Sequence, residues 1–103
     1  MSAAVLILTT IGSREEGARI AEALVTERLA ACVQLAPIES WYRWEDKVEQ
    51  AVEHRLHVKT SVALAERAEA RIAALHSYRL PEIVRLSIDG SGAYLKWIVD
   101  SVG

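Results

Sequence analysis

The sequence predicts an α+β fold in which helices cover one face of a single antiparallel sheet. Segments with strand-like and helix-like hydrophobic patterns alternate in the order β-α-β-β-α-β, and a short helix follows. The second and third strand segments are unusually long, and a tight turn joins them. This order is typical of the ferredoxin-like split βαβ arrangement. At 103 residues the chain is expected to form one domain, 1–103, with no room for a second.

The first strand and the first helix have clear signals. A continuous apolar run, "AVLILTT" (3–9), predicts a central strand that is buried on both faces. Ser13 and Glu16 have the spacing of a capping box, which marks a helix N-terminus. Apolar residues then recur at helical period, and the helix is expected to run from Arg14 to about Ala30.

A long hairpin follows. Residues 31–44 predict one strand, in which Pro37 indicates a bulge or an edge position because it cannot donate a ladder hydrogen bond. "EDK" predicts the turn, where Asp46 tolerates a left-handed backbone. Residues 47–60 alternate almost perfectly and predict the second strand. At about 3.3 Å per residue each arm is some 40 Å long, so the hairpin should overhang a core of this size.

The remaining elements are shorter. A second helical stripe follows a cap at Thr60 or Ser61, and it consists of Ala65, Ala68, Ile72 and Leu75. Residues 82–88 predict a short strand after Pro81. "DGSG" predicts a turn, and residues 93–102 predict a final helix.

Three of the six aromatic residues lie within four positions of the hairpin. Because neighbouring side chains of a strand point to opposite faces, Trp41 points one way while Tyr42 and Trp44 point the other. A partner is therefore expected to cover one of the two faces, and it would also pair the unpaired strand edges. The alternative is that Trp41 and Trp44 cover the end of this chain's own core.

Composition excludes several classes of protein. Charged residues make up 25% and apolar residues 51%, which is an ordinary globular balance. A net charge of −2, with scattered Lys and Arg, provides no basic stripe for nucleic acid. The start of the chain has no basic leader and no apolar run long enough to span a bilayer. A single Cys fits a reducing compartment, so we expect a cytoplasmic protein with no membrane partner.

Four residues could carry chemistry. Cys32 begins the long strand, where a cysteine most often serves as a small buried hydrophobe. His54 falls in an apolar row and His57 among charged residues, so interior packing and a salt network are their simplest roles. His76 lies in a connector that could present its imidazole, although a helix C-terminus also favours a cationic imidazole as a cap.

No sequence motif joins these residues into a known centre. There is no HxxxH, CxxC, nucleophile elbow or P-loop, so no enzyme is predicted. A metal site would have to be assembled in space, within one chain or across subunits, and imidazole with thiolate suits copper or zinc.

Several stretches together resemble the divalent-cation tolerance protein CutA family. They are "ERLAACVQL" (27–35), "SWYRWEDK" (40–47), "VKT" (58–60), "HSYRLPEIVRLSI" (76–88) and "AYLKWI" (93–98), which run in the family's order over nearly the whole chain. The resemblance implies a homotrimer in which the long hairpins pair between subunits and cover Trp41, Tyr42 and Trp44. It also implies a role in tolerance to divalent metals, copper above all.

The resemblance also implies a set of site residues. Cys32 and His76 match positions to which copper(II) binding is attributed in the family. Leu75 stands where some members have a second His, so weak metal binding is expected. A further set is expected to line a small-ligand pocket near the subunit boundary: Tyr42, Trp44, Lys59, Tyr78 and Glu82.

Two other functions remain open at this point. The PII regulators resemble this arrangement in fold and oligomeric state, so the chain could be a signalling trimer that binds an anionic or nucleotide ligand, with Lys59 and Arg79 as contacts. It could also be a rigid scaffold with no ligand.

Overall fold

The computed structural model describes residues 3–103, and its order of elements confirms the predicted succession. The strands are β1 Ala4–Ile11, β2 Cys32–Trp44, β3 Lys47–Ser61 and β4 Val84–Ser87, and the helices are α1 Arg14–Thr26, α2 Ala65–Leu75 and α3 Gly92–Asp100. A 3₁₀ turn, Val62–Leu64, leads into α2. The expectation that no leader precedes the first strand rested partly on Met1 and Ser2, which lie outside the described residues.

The four strands form one antiparallel sheet in the order β2-β3-β1-β4. The apolar strand β1 is interior, as its continuous hydrophobic run predicts. It pairs with β3 from Ala4↔Ser61 to Ile11↔His54, and with β4 from Val5↔Ser87 to Leu8↔Val84. Because Ile11 is the last residue of β1, the hairpin beyond His54 has no third strand beside it.

The two long helices pack against one face of the sheet. At Gly17 of α1, an added Cβ atom would lie 3.0 Å from the side chains of Ile11 and Leu35, so any other residue would require these side chains to shift. Helix α2 is tied to β4 by a two-pronged ion pair in which Arg85 donates to both carboxylate oxygens of Glu69. The core between the helices and the sheet includes Ile7, Ile11, Ile20, Leu24, Leu56, Val58 and Ile72.

Helix α1 ends earlier than predicted. The apolar pattern extends it to about Ala30, but the helix ends at Thr26, and Arg28 adopts a left-handed backbone with φ of 59°. The amides of Leu29 and Ala30 then fold back to the carbonyl of Leu24. Leu29 is still buried, because the turn returns it to the core after the helix has ended.

Two other elements have bounds that differ from the prediction, and the structure decides between the two residues predicted to cap the start of the second helix. The last strand is only Val84–Ser87 instead of 82–88, and α3 begins at Gly92, capped by Ser91, and ends at Asp100. Ser61 caps the 3₁₀ turn before α2, whereas Thr60 is buried in β3 and donates its hydroxyl to the carbonyl of Leu29. The connector between α2 and β4, residues 76–83, begins beside the end of β1, where Nε2 of His76 lies 2.7 Å from the carbonyl oxygen of Thr10.

The hairpin has the predicted length. Strands β2 and β3 contain 13 and 15 residues, and the longest dimension of the molecule is 44 Å. The turn between them consists of Glu45 and Asp46, whose φ angles of 50° and 64° are both left-handed, as in a type I′ turn. Pro37 causes no bulge, because the register continues unbroken through Pro37↔His54.

Candidate functional site

A cavity of about 320 Å³ lies where the connector 76–83 meets the overhanging hairpin. Its lining combines rings, carboxylates and one cation: Thr10, Tyr42, Trp44, Glu53, Tyr78, Arg79, Leu80 and Glu82. On the hairpin, cross-strand partners point to the same face, so the register places Tyr42, Trp44 and Glu53 on one side of it.

Tyr78 connects the two walls of the cavity. Its hydroxyl donates a hydrogen bond of 2.7 Å to Oε2 of Glu53, a carboxylate that is only 8% exposed. Burial and this bond to a negative acceptor together raise the pKa of the Tyr78 phenol far above its usual value. The connector is therefore held to β3 by a neutral phenol that donates to a buried carboxylate.

Both ring nitrogens of His76 are engaged. Nε2 lies 2.7 Å from the carbonyl oxygen of Thr10, and because a carbonyl can only accept, Nε2 carries the proton. Nδ1 accepts from the amide of Tyr78 at 3.1 Å, and the two rings pack with centroids 4.8 Å apart. His76 thus fixes the start of the connector, and neither nitrogen has a free lone pair in this arrangement.

Cys32 lies in a second cluster, at the other end of the sheet. It is half-buried and directly opposite Lys59. Lys59 donates to the hydroxyl of Tyr94 at 3.0 Å, and this bond raises the pKa of the lysine. The register also places His57 diagonally across from Cys32 on the same face, a pair whose Cα atoms are typically about 7–8 Å apart.

One chain does not bring Cys32 and His76 together. Cys32 is level with Leu6 of β1, whereas His76 binds the carbonyl of Thr10, about 13 Å further along that strand. Within residues 3–103, no three His, Cys, Asp or Glu side chains are close enough to hold a metal ion.

The predicted pocket residues are only partly brought together. Tyr42, Trp44, Tyr78 and Glu82 line the cavity, but Lys59 lies in the cluster with Cys32. Sequence reasoning missed Glu53, because the strict alternation of β3 places it among exposed charged residues. The connector that buries it carries no signal that it would fold over this position.

The hairpin aromatics are not covered by this chain's own core. Trp41 is 66% exposed, and Tyr42 and Trp44 remain exposed as well. Val48, 70% exposed, lies on the same face of the hairpin as Trp41 and extends the apolar surface of that face along the opposite strand. The alternative in which Trp41 and Trp44 close the core of a single chain is therefore wrong.

The sheet order, the overhanging aromatic hairpin and the cavity at its root define a class of small α+β proteins, and comparisons identify the family. Residues 5–101 match the family model described as CutA1 divalent ion tolerance protein. The divalent-cation tolerance protein CutA of Thermus thermophilus is 43% identical over 100 residues, which cover 95% of this chain and 97% of that protein. This chain belongs to the CutA1 divalent ion tolerance protein family.

Two further relatives carry the name of a compartment in their descriptions. The chloroplastic protein CutA of Arabidopsis thaliana is 40% identical over 99 residues, covering 94% of this chain; this chain spans about half, 54%, of its length. The structure titled periplasmic divalent cation tolerance protein CutA from Archaeoglobus fulgidus matches with a TM-score of 0.93 at 38% identity, covering 97% of this chain and 99% of that one. Among the helices of residues 3–103, none is long and apolar enough to cross a bilayer.

Proposed function

We propose that this chain acts as a homotrimer in tolerance to divalent metal, binding copper(II) weakly through Cys32 and His76. Its membership of a family named for divalent ion tolerance, over residues 5–101, is the observation that carries the proposal. Neither the family description nor the names of the relatives states a catalytic activity. The proposed role is therefore binding, not catalysis.

The exposed hairpin supports self-association. Trp41, Val48 and Val52 lie on one face of the hairpin, and a soluble monomer rarely exposes a contiguous surface as apolar as theirs. The unpaired edges of β2 and β4 would also be paired in an assembly. The number of subunits, three, comes from the resemblance to the family.

The metal site is proposed to form between subunits, because Cys32 and His76 are far apart in one chain. Thiolate and imidazole are suitable ligands for copper. His76 would have to release the amide of Tyr78 from Nδ1 before it could bind a metal there. Losing this hydrogen bond costs about 1 kcal/mol, which favours weak binding.

Native mass spectrometry of the metal-free protein, titrated with copper(II), tests both parts. A trimer that takes up copper in a saturable way, with uptake reduced in Cys32→Ala and in His76→Ala, is the expected result. His54→Ala is the matched control, because it removes an imidazole from the opposite, helix-facing side of β3.

Other outcomes would change the assignment. A trimer that takes up no copper would contradict the metal role and leave the assembly standing. If uptake is lost in Cys32→Ala but unchanged in His76→Ala, His76 is not a ligand, and His57, diagonal to Cys32, becomes the imidazole to test. A monomer at every concentration would contradict the trimer.

The PII-like alternative gains no support. Its two proposed anion contacts are apart: Lys59 donates to Tyr94, while Arg79 lies over the ring of Trp44 in the cavity. The cavity also carries two carboxylates, which disfavour an anionic ligand.

We propose a cytoplasmic location on the basis of the single cysteine. Because relatives are named as chloroplastic and periplasmic, cell fractionation of the native protein is the test. Recovery in a membrane or periplasmic fraction would contradict it.

A further inference from the structure

The open face of the sheet, which is the face opposite α1 and α2, carries three neighbouring polar side chains without a partner. We propose that Arg55, His57 and Gln34 together bind a small oxyanion of the size of phosphate. The site is distinct from the proposed metal ligands, and it uses neither of the two anion contacts of the PII-like alternative, Lys59 and Arg79.

The partners of the side chains along β3 leave a gap in the middle of the row. Four side chains follow one another on the open face: Glu53, Arg55, His57 and Lys59. Tyrosines hold the two outer ones, because Tyr78 donates to Glu53 and Lys59 donates to Tyr94. Within residues 3–103, the side chains of Arg55 and His57 form no hydrogen bond, ion pair or ring contact.

The guanidinium of Arg55 needs an acceptor. Its Nε atom is shielded from solvent and has no hydrogen-bond partner among the described residues. A shielded donor on a charged group is costly to leave unpaired, and an oxyanion beside it would offset that cost. The planar fork of a guanidinium can donate to two oxygens of one phosphate or carboxylate group.

The register places two more donors beside this fork. His57 lies two residues along β3, about 6.6 Å away, and Gln34 is directly opposite His57, with Cβ atoms typically about 5 Å apart. Ala36, directly opposite Arg55, is exposed and ends at its Cβ atom, which leaves open space over the middle of the group. A guanidinium, an imidazole and a carboxamide can therefore donate to one anion.

The charges around the three side chains favour an anion. On the β1 side, Thr10 flanks Arg55 and Leu8 flanks His57, and neither is charged. The nearest carboxylate along the row is that of Glu53, on the far side of Arg55. An anion held between Arg55 and His57 would lie about 10 Å from Glu53 in the register, a separation comparable to the screening length at physiological salt. Contact with the guanidinium then outweighs the repulsion from Glu53.

The contacts proposed for the trimer do not use these donors. Pairing of the hairpins engages the arm beyond His54, and pairing of sheet edges engages the backbone of β2 and β4. Arg55 and His57 lie on β3, which has a neighbouring strand on both sides at these positions. Because a neighbouring subunit could still face this surface, binding is measured in the wild-type assembly and in Trp41→Lys, the variant expected to dissociate.

The test is a titration with inorganic phosphate, followed through the Cε1–H signal of the His57 ring in two-dimensional NMR. The signal is identified by its absence from His57→Gln. Sodium chloride at the same pH and ionic strength is the control titration. We expect a saturable shift with phosphate, with a Kd on the order of 1 mM, and no saturable shift with chloride.

Three variants locate the site. Arg55→Gln removes the guanidinium and should weaken phosphate binding roughly tenfold or more. Arg67→Gln is the matched control, because it removes an exposed guanidinium from α2 and changes the net charge equally; it should leave the Kd unchanged. Gln34→Glu places a carboxylate opposite His57 and should abolish saturable binding, since it repels the anion.

Each other outcome contradicts the proposal. Equal shifts with chloride, or a shift that does not saturate, would reduce the three side chains to a solvated surface. An unchanged Kd in Arg55→Gln would remove the guanidinium from the site. Binding by Trp41→Lys but not by the wild type would show that a neighbouring subunit occupies the position in the assembly. If Arg55→Gln does not fold, Gln34→Glu decides: loss of binding supports the proposal, and an unchanged Kd overturns it.

Discussion

The phenol of Tyr78 and the imidazole of His76 together hold the connector 76–83 against the sheet. His76 binds the carbonyl of Thr10, its Nδ1 accepts from the amide of Tyr78, and the hydroxyl of Tyr78 reaches Glu53 on the hairpin. Each of these bonds joins segments that are far apart in sequence, except the short step from His76 to Tyr78. The position of the cavity wall therefore depends on two side chains.

Tyr78 should ionise later than an ordinary tyrosine. Because burial and Glu53 favour the neutral phenol, the stability that Tyr78 contributes is present below the ordinary tyrosine pKa and is lost as the pH rises through the higher folded pKa. The measurement is tyrosinate absorbance against pH, as a difference between wild type and Tyr78→Phe. This difference in absorbance should appear only at pH values above those at which an ordinary tyrosine ionises.

Tyr94→Phe is the matched control, since it removes a different tyrosine and should leave the late component in place. A Tyr78→Phe difference that rises at the ordinary pKa would contradict the bond to Glu53. Tyr78→Phe also leaves the buried carboxylate of Glu53 without its hydrogen-bond donor, so it should lower the free energy of unfolding by about 1–3 kcal/mol.

Among single residues, those that belong to local sequence motifs could be assigned to the cavity from the sequence. Tyr42, Trp44, Tyr78 and Glu82 belong to recognisable motifs, and all four line the cavity. Glu53 could not be found in this way, because its burial comes from a connector that is distant in the chain. The position of Lys59 depends on the pairing of β3 with β2. That pairing places Lys59 at the end of the sheet that holds Cys32, away from the cavity.

At the scale of elements, two chain reversals use left-handed residues other than glycine. Arg28 reverses the chain just after the end of α1, and Glu45 and Asp46 form the hairpin turn. Glycine is the usual residue at such positions, and its absence at Arg28 is why the helix end was placed too late. The elements themselves were predictable because their hydrophobic periods are long and regular.

Replacing Asp46 by Gly should stabilise the protein. The φ of 64° is strained for aspartate and free for glycine, so we expect a gain of roughly 0.5–1 kcal/mol in the free energy of unfolding. Chemical denaturation measures it. Asp89→Gly is the control, because Asp89 is not left-handed and its carboxylate caps Gly90; this variant should destabilise. A loss of stability in Asp46→Gly would contradict the turn geometry.

At the scale of the whole molecule, the hairpin gives the chain a long arm without a core beneath it. The β-α-β-β-α-β order was predictable from hydrophobic pattern, and so was the overhang, because both follow from counting residues in each segment. What covers the arm was not predictable from pattern, since a partner's surface leaves no trace in the periodicity of this chain.

Trp41→Lys should disrupt the proposed trimer while leaving the fold of each chain intact. The side chain is 66% exposed in one chain, and covering it would contribute about 2.5–4 kcal/mol per subunit. The measurement is mass by sedimentation equilibrium over a hundredfold range of concentration, together with the melting temperature, which should rise with concentration in wild type but not in Trp41→Lys.

Val25→Lys is the control, because it replaces an exposed apolar residue of α1 that is remote from the hairpin. It should keep the trimeric mass. A trimeric mass in Trp41→Lys would show that Trp41 does not lie in the interface.

The cavity runs along the hairpin, with Trp44 beside the tip and Glu53 near the root. In the register of the two strands these residues are about 20 Å apart on a straight arm, so any bending of the arm changes the gap between ring and carboxylate. Neighbouring subunits that clamp the arm would set its curvature. Assembly would then fix the separation of Trp44 and Glu53, so dissociation of the proposed trimer would change the shape of the cavity.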